Sequence, residues 1–155
     1  MGDINVKFSK LRPINFPKKE VMSTLDELPA LMTLAATING VSKFNLGAEN
    51  IKILKGKESD RVKKISENLK TFGIKTKITK DSIKVFGSKL EIISKKKKIK
   101  INSTLDHRVQ MCAVLLAIAS KSNVLIKGCE TIKTSFPNFF TLLKKCGAKY
   151  EIKKK

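Results

Sequence analysis

Only three of the 33 basic residues are arginines, Arg12, Arg61 and Arg108, and two of them lie in compact polar clusters. The clusters are Lys57-Glu58-Ser59-Asp60-Arg61 and Asp106-His107-Arg108, and the second holds the single histidine. In a chain that otherwise uses lysine, guanidinium is kept where a rigid two-pronged donor for a carboxylate or phosphate matters. Carboxylates and an imidazole stand beside those prongs, so acid–base capacity adjoins anion binding. This combination reads as half of an active site for an anionic substrate. Plainer readings stand beside it. Asp26, Ser59-Asp60 and Asp106 all open helix-like patterns, where a short polar side chain serves as an N-cap. Arg61 and Arg108 also read as solvated surface charges, and His107 as a structural histidine.

The elements that must position these groups follow from hydrophobic periodicity. Asn5 to Pro13 alternates like a strand, and Pro13 and Pro17 punctuate the connection after it. Asp26 to Asn39 is helical, with Leu28, Leu31, Met32, Ala35, Ala36 and Ile38 forming an apolar stripe and Gly40 placed as C-cap. Val41 to Leu46 is a short strand. A second helix starts at Ser59 or Asp60, presents Val62, Ile65, Leu69 and Phe72 on one face, and ends at Gly73. Ile74 to Ile78 and Ile83 to Val85 pair as a hairpin around Lys80-Asp81-Ser82. Further on, Leu90 to Ile93 and Ile99 to Ile101 read as strands flanking a lysine run, and Asp106 to Ser120 as a helix. Val124 to Ile126 reads as a strand, Phe136 to Cys146 as a helix ending at Gly147, and Tyr150 to Ile152 as a last strand.

This order contains a repeat. Asp26–Glu49 lies over Asp106–Glu130: each stretch opens with Asp, runs through an apolar helix and a strand, and closes on Gly-x-Glu. Phe72-Gly73-Ile74-Lys75 likewise matches Cys146-Gly147-Ala148-Lys149. The expected fold is α+β, about two βαβαββ units (about 14–90 and 91–155) preceded by a strand of an incomplete unit (1–13). Each unit must bury one sheet face and two helices, so the helices should pack together behind the sheets.

Composition narrows the function classes. The content is globular, 41% hydrophobic with 30% charged residues, and no apolar run is long enough to span a bilayer. No secretory signal is visible at the N-terminus. Cys112, Cys129 and Cys146 sit in apolar settings without Cys-x-x-Cys spacing, which predicts core thiols in a reducing cytoplasm and no metal site. A net charge of +20 invites a nucleic-acid partner. Against that, the excess is nearly all lysine in an Ile- and Asn-rich sequence, and the 6% aromatic content without tryptophan leaves few stacking platforms. The Lys95–Lys98 run reads as a solvated turn or strand edge, and no specific nucleic-acid binding is expected.

Lys57-Glu58-Ser59-Asp60-Arg61, Leu105-Asp106-His107-Arg108 and Thr134-Ser135-Phe136-Pro137, in that order, resemble the C-terminal half of the 5-enolpyruvylshikimate-3-phosphate synthases. Asp26-Glu27-Leu28-Pro29 resembles the family's Asp-Glu-x-Pro segment, and the likeness runs from Asp3-Ile4 to Ala148-Lys149. The related UDP-N-acetylglucosamine enolpyruvyl transferases share the fold without being expected to carry this set. The resemblance implies the enolpyruvyl transferase fold and transfer of the carboxyvinyl group of phosphoenolpyruvate to the 5-hydroxyl of shikimate 3-phosphate. It implies neither metal nor organic cofactor. By the same resemblance, Asp26 contacts the shikimate hydroxyl and accepts its proton, and Glu58 exchanges a proton with the enolpyruvyl methylene. Arg61 and Arg108, with His107 beside the second, hold phosphoenolpyruvate, and Lys57 lies near shikimate 3-phosphate.

Three departures qualify the match. Thr134 occupies a slot where some members carry a phosphoenolpyruvate-binding lysine, with Lys133 its neighbour. The approach Glu49–Gly56 reads as an extended loop, with Ile53 where some members place a polar substrate contact. The family also implies two lobes of three repeats each with the site between them, whereas this chain corresponds to about two repeats. The expectation is a chain inactive alone, which pairs with a missing N-terminal lobe or associates with itself.

Overall fold

The computed structural model describes residues 2–5, 7, 9–88, 99–102 and 105–153. Its strands are β1 (Asn15–Phe16), β2 (Gly40–Asn45), β3 (Lys75–Ile78), β4 (Ser82–Gly87), β5 (Ile99–Asn102) and β6 (Val124–Lys127). Its α-helices are α1 (Val21–Thr24), α2 (Leu28–Ala36), α3 (Ala48–Lys55), α4 (Arg61–Thr71), α5 (His107–Ala119), α6 (Ile132–Ser135) and α7 (Phe139–Lys145).

Four strands form one sheet in the order β1-β2-β4-β3, and β5 and β6 form a second. β1 runs parallel to β2, while β4 is antiparallel to both β2 and β3. β5 and β6 are parallel, joined across α5 as β1 and β2 are joined across α2. Inward residues of the larger sheet, Phe44, Ile83 and Val85, are fully buried. They join Met32 and Ala36 of α2, Ile65 and Leu69 of α4, and Val109, Ala113 and Leu116 of α5 in one core. α2, α4 and α5 pack against one another, so three helix starts converge where the polar clusters lie. The expected helical core behind sheets is present, and the class is α+β.

Local chemistry explains the boundaries. Asp60 caps α4 by accepting the Lys63 N–H at 2.9 Å. Gly73, at φ +73°, closes that helix, with its own N–H on the Lys70 carbonyl and the Ile74 N–H on that of Leu69. Gly87 ends β4 directly under α2: a Cβ there would collide with the carbonyl oxygens of Ala35 and Ile38.

Several expectations are corrected. The described residues between Asn5 and Pro13 form no strand; pairing on the edge of β2 begins at Asn15. Gly40 is not a C-cap, since α2 ends at Ala36 with Thr37 as its C-cap, and Gly40 opens β2 with φ +121°. Glu49–Gly56 is not a loop but largely helix α3, which buries Asn50, Ile51 and Leu54. The helix expected over Phe136–Cys146 starts at Phe139, because Pro137 disfavours helical backbone at Phe136, which sits at φ −143°, ψ 77°. A separate short helix, α6, precedes it. Tyr150–Ile152 forms no strand. Leu90–Ile93 and Lys95–Lys98 lie outside the described residues. Among the described residues, no helix is long and apolar enough to cross a membrane, and no cluster of His, Cys, Asp and Glu could hold a metal ion.

Candidate active site

Arg61 is the first residue of α4, yet its side chain is only 2% exposed. Each of its nitrogens donates to a carboxylate from a different segment. Nε reaches Asp106 Oδ2 at 2.8 Å, Nη1 reaches Asp26 Oδ1 at 2.8 Å, and Nη2 reaches Glu58 Oε2 at 2.6 Å. Asp26 comes from the turn between α1 and α2, pinned by buried Leu25 and Leu28 on either side. Glu58 comes from the turn before α4, and Asp106 caps α5. Burial opposes the charge on Arg61, but the Asp106, Asp26 and Glu58 carboxylates outweigh it and hold the guanidinium above its ordinary pKa.

Asp106 is completely buried. Its Oδ2 also accepts from Ser59 Oγ at 3.1 Å, while Oδ1 accepts the N–H groups of Arg108 and Val109 at 3.0 and 3.3 Å. Burial pushes its carboxyl up. Arg61, the Val109 N–H and Ser59 pull it further down, so it stays ionised below the usual aspartate range.

Asp26 faces three cations. Besides Arg61, Lys57 Nζ lies 3.4 Å from Oδ1, and Arg108 Nη2 lies 3.6 Å from Oδ2. Arg108 Nη1 donates to the Asp26 carbonyl at 2.9 Å and lies 3.4 Å from Glu27 Oε1. Burial raises the Asp26 carboxyl, but Arg61, Arg108 and Lys57 together bring it below its ordinary value. Asp26 and Lys57 line a solvent-open cleft of about 250 Å³ with Met22, Ser23, Leu25 and Glu27.

The structure therefore brings Asp26, Lys57, Glu58, Arg61 and Arg108 together. It removes two of the plainer readings: Arg61 is not a solvated surface charge, and Asp26 is not an N-cap, since α2 begins after Glu27 and Asp26 is turned onto Arg61 instead. For Asp60 the plain cap stands. His107 opens α5 half-buried, and among the described residues no hydrogen bond or ion pair joins its ring to the cluster. Lys133 and Thr134 are exposed on α6, and the Thr134 hydroxyl donates to the Thr131 carbonyl at 2.8 Å. α6 packs on α5 but brings neither residue onto the Arg61 cluster. Ile53 is exposed on α3. Sequence reasoning missed Asp106 as a member of the site; its place beside His107-Arg108 was the available signal.

Lys57 and Arg108, each about a third exposed beside Asp26, are placed to meet an anion, with carboxylates at hand to move protons. A family model described as EPSP synthase (3-phosphoshikimate 1-carboxyvinyltransferase) matches residues 2–143. The chain is 36% identical over 153 residues to the 3-phosphoshikimate 1-carboxyvinyltransferase of Zymomonas mobilis subsp. mobilis, covering 98% of this chain and 33% of the relative. It is 34% identical over 146 residues to that of Coxiella burnetii, covering 94% and 31%. A solved EPSP synthase from Acinetobacter baumannii superposes with a TM-score of 0.72 at 27% identity, over 94% of this chain and 32% of that one. The chain thus spans about a third of the length of the curated relatives it matches.

Proposed function

Because this chain belongs to the EPSP synthase family, we propose that it supplies the C-terminal part of an active site for carboxyvinyl transfer from phosphoenolpyruvate to the 5-hydroxyl of shikimate 3-phosphate. On this reading it works in the cytoplasm and without a cofactor. The observation that carries it is the gathering of Asp26, Glu58 and Asp106 on the single guanidinium of Arg61, next to Lys57 and Arg108.

The chemistry asks for this set. The 5-oxygen bonds to C2 of phosphoenolpyruvate as C3 gains a proton, giving a tetrahedral ketal phosphate. The methyl group then loses a proton and the C2–O bond to phosphate breaks. Asp26, ionised and beside the cleft, takes the hydroxyl proton. Glu58, half exposed, gives a proton to C3 in the first step and removes one in the second. Arg108 and Arg61 hold the phosphoenolpyruvate carboxylate, the substrate displacing Asp26 or Glu58 from an Nη of Arg61, with His107 beside them, and Lys57 and Asp26 meet shikimate 3-phosphate.

Charge argues that this is part of a site rather than all of one. Three cations, Lys57, Arg61 and Arg108, face four carboxylates, Asp26, Glu27, Glu58 and Asp106. Such a cluster has no surplus to neutralise two phosphorylated substrates, so further cations must come from a second lobe. Alone, the chain acts as an anion-binding lobe without turnover, since groups held on one side of the substrate lose most of the rate.

Calorimetric titration with phosphoenolpyruvate, after mixing with a separately expressed N-terminal lobe, tests this reading. Arg108→Ala should weaken binding by about tenfold or more through loss of the two-pronged donor. Neutralising Lys95–Lys98 should leave binding unchanged. The reverse pattern would favour a lysine-driven polyanion binder.

A further inference from the structure

The site contains one buried acid that the proposed chemistry does not use. We propose that Asp106 is a positioning residue, the carboxylate that aims the side chain of Arg61 and the backbone carrying Arg108 at one point. This rests on the reading of the cluster as a substrate site.

Capping α5 requires one carboxylate oxygen on the first free N–H groups, and Oδ1 fills that role toward Arg108 and Val109. Oδ2 does something a cap does not need: it takes Arg61 Nε and the Ser59 hydroxyl. Asp60 is the internal comparison, a cap for α4 through Oδ1 that lies partly exposed. Asp106 is instead wholly buried and binds across 45 residues of sequence.

The choice of nitrogen matters. The guanidinium is a rigid planar fork, so fixing Nε fixes the direction of both Nη groups. With Nε held by Asp106, both Nη groups of Arg61 stay turned toward Asp26 and Glu58, the acids that an incoming substrate carboxylate would displace. The same aspartate fixes the first turn of α5, and hence the origin of the Arg108 side chain. One group therefore sets the relative placement of both arginines.

The test uses the side-chain N–H signals of the arginines, which number only three in this chain. Asp106→Asn keeps an oxygen for the cap but replaces the anion facing Nε. It should lose the exchange-protected Nε–H signal of Arg61 and weaken phosphoenolpyruvate binding by about tenfold. Asp60→Asn should change neither. Ser59→Ala, which removes only the hydroxyl from Oδ2, should shift the Arg61 signal and weaken binding by about two- to fivefold, and it decides the matter if Asp106→Asn does not fold. Unchanged affinity together with a lost or shifted Arg61 signal overturns the proposal, as does an Nε–H signal that survives Asp106→Asn. A wild-type chain whose signals ignore phosphoenolpyruvate overturns the substrate reading, and the Arg61 signal in the variants still decides whether Asp106 aims the arginine.

Discussion

Glu58 Oε2 and Arg61 Nη2 lie 2.6 Å apart across three residues of sequence, so the acid–base candidate is tethered to the cation that opens the following helix. That tether holds the carboxyl at the rim of the site while leaving it half exposed to solvent. Glu58→Gln keeps an oxygen to accept from Nη2 but cannot cycle a proton. In the enzyme reconstituted with an N-terminal lobe, kcat should fall by about a hundredfold or more. KM for phosphoenolpyruvate should stay near the wild-type value. Steady-state kinetics would show it; retained kcat would remove Glu58 from the proton-transfer role.

Acid sensitivity should come from the same cluster. Asp26 and Asp106 are both held below the ordinary 3.8 by their cations, so the folded state binds fewer protons than the unfolded one as pH falls through that range. Their stabilisation is complete above the unfolded value and is lost as pH drops through the depressed native values. Thermal melts should therefore hold level from neutrality to about pH 5 and decline steeply below about pH 4. A decline centred near pH 6 would contradict these assignments.

Removing the central cation should be costly. Arg61→Met strands the buried Asp106 carboxylate without its main counter-charge, a situation that typically costs about 3–5 kcal/mol. Denaturant unfolding should show it at neutral pH, and the deficit relative to wild type should shrink on acidification, because protonating Asp106 relieves the charge that Arg61 no longer balances. Pairing the change with Asp106→Leu should restore part of the loss, because no bare charge then remains inside. A mild effect of Arg61→Met alone would mean that the cluster is not a structural hub.

How far the sequence reaches can be judged element by element. Periodicity located α2, α4 and α5 because each buries a long stripe against the others, as Val62, Ile65, Leu69 and Phe72 do in α4. It failed for Asn5–Pro13 and Tyr150–Ile152, where alternation is real but strand pairing depends on a free neighbouring edge that a linear pattern does not display. Helix α3 had its signal, Ile51 and Leu54 with Asn50 between the glycines at positions 47 and 56, but eight residues are few for a periodicity to assert itself. In the site, residue types and spacing drew attention to Arg61, Arg108 and the acids beside them, and the family resemblance singled out Asp26 and Glu58. They did not reveal that Arg61 is buried under three carboxylates, since the partners lie 35 and 45 residues away and only packing of α2, α4 and α5 unites them. Asp106 was hidden for the same reason: one oxygen caps a helix, as sequence suggests, and the other acts across the fold.

The measurement that bears most directly on the central claim is phosphate release from phosphoenolpyruvate plus shikimate 3-phosphate, with and without a separately expressed N-terminal lobe. The account predicts no turnover by the 155-residue chain alone and turnover on mixing, abolished by Asp26→Asn. Turnover by the chain by itself would contradict the half-site. A folded mixture that binds phosphoenolpyruvate yet releases no phosphate would contradict the catalytic roles given to Asp26 and Glu58.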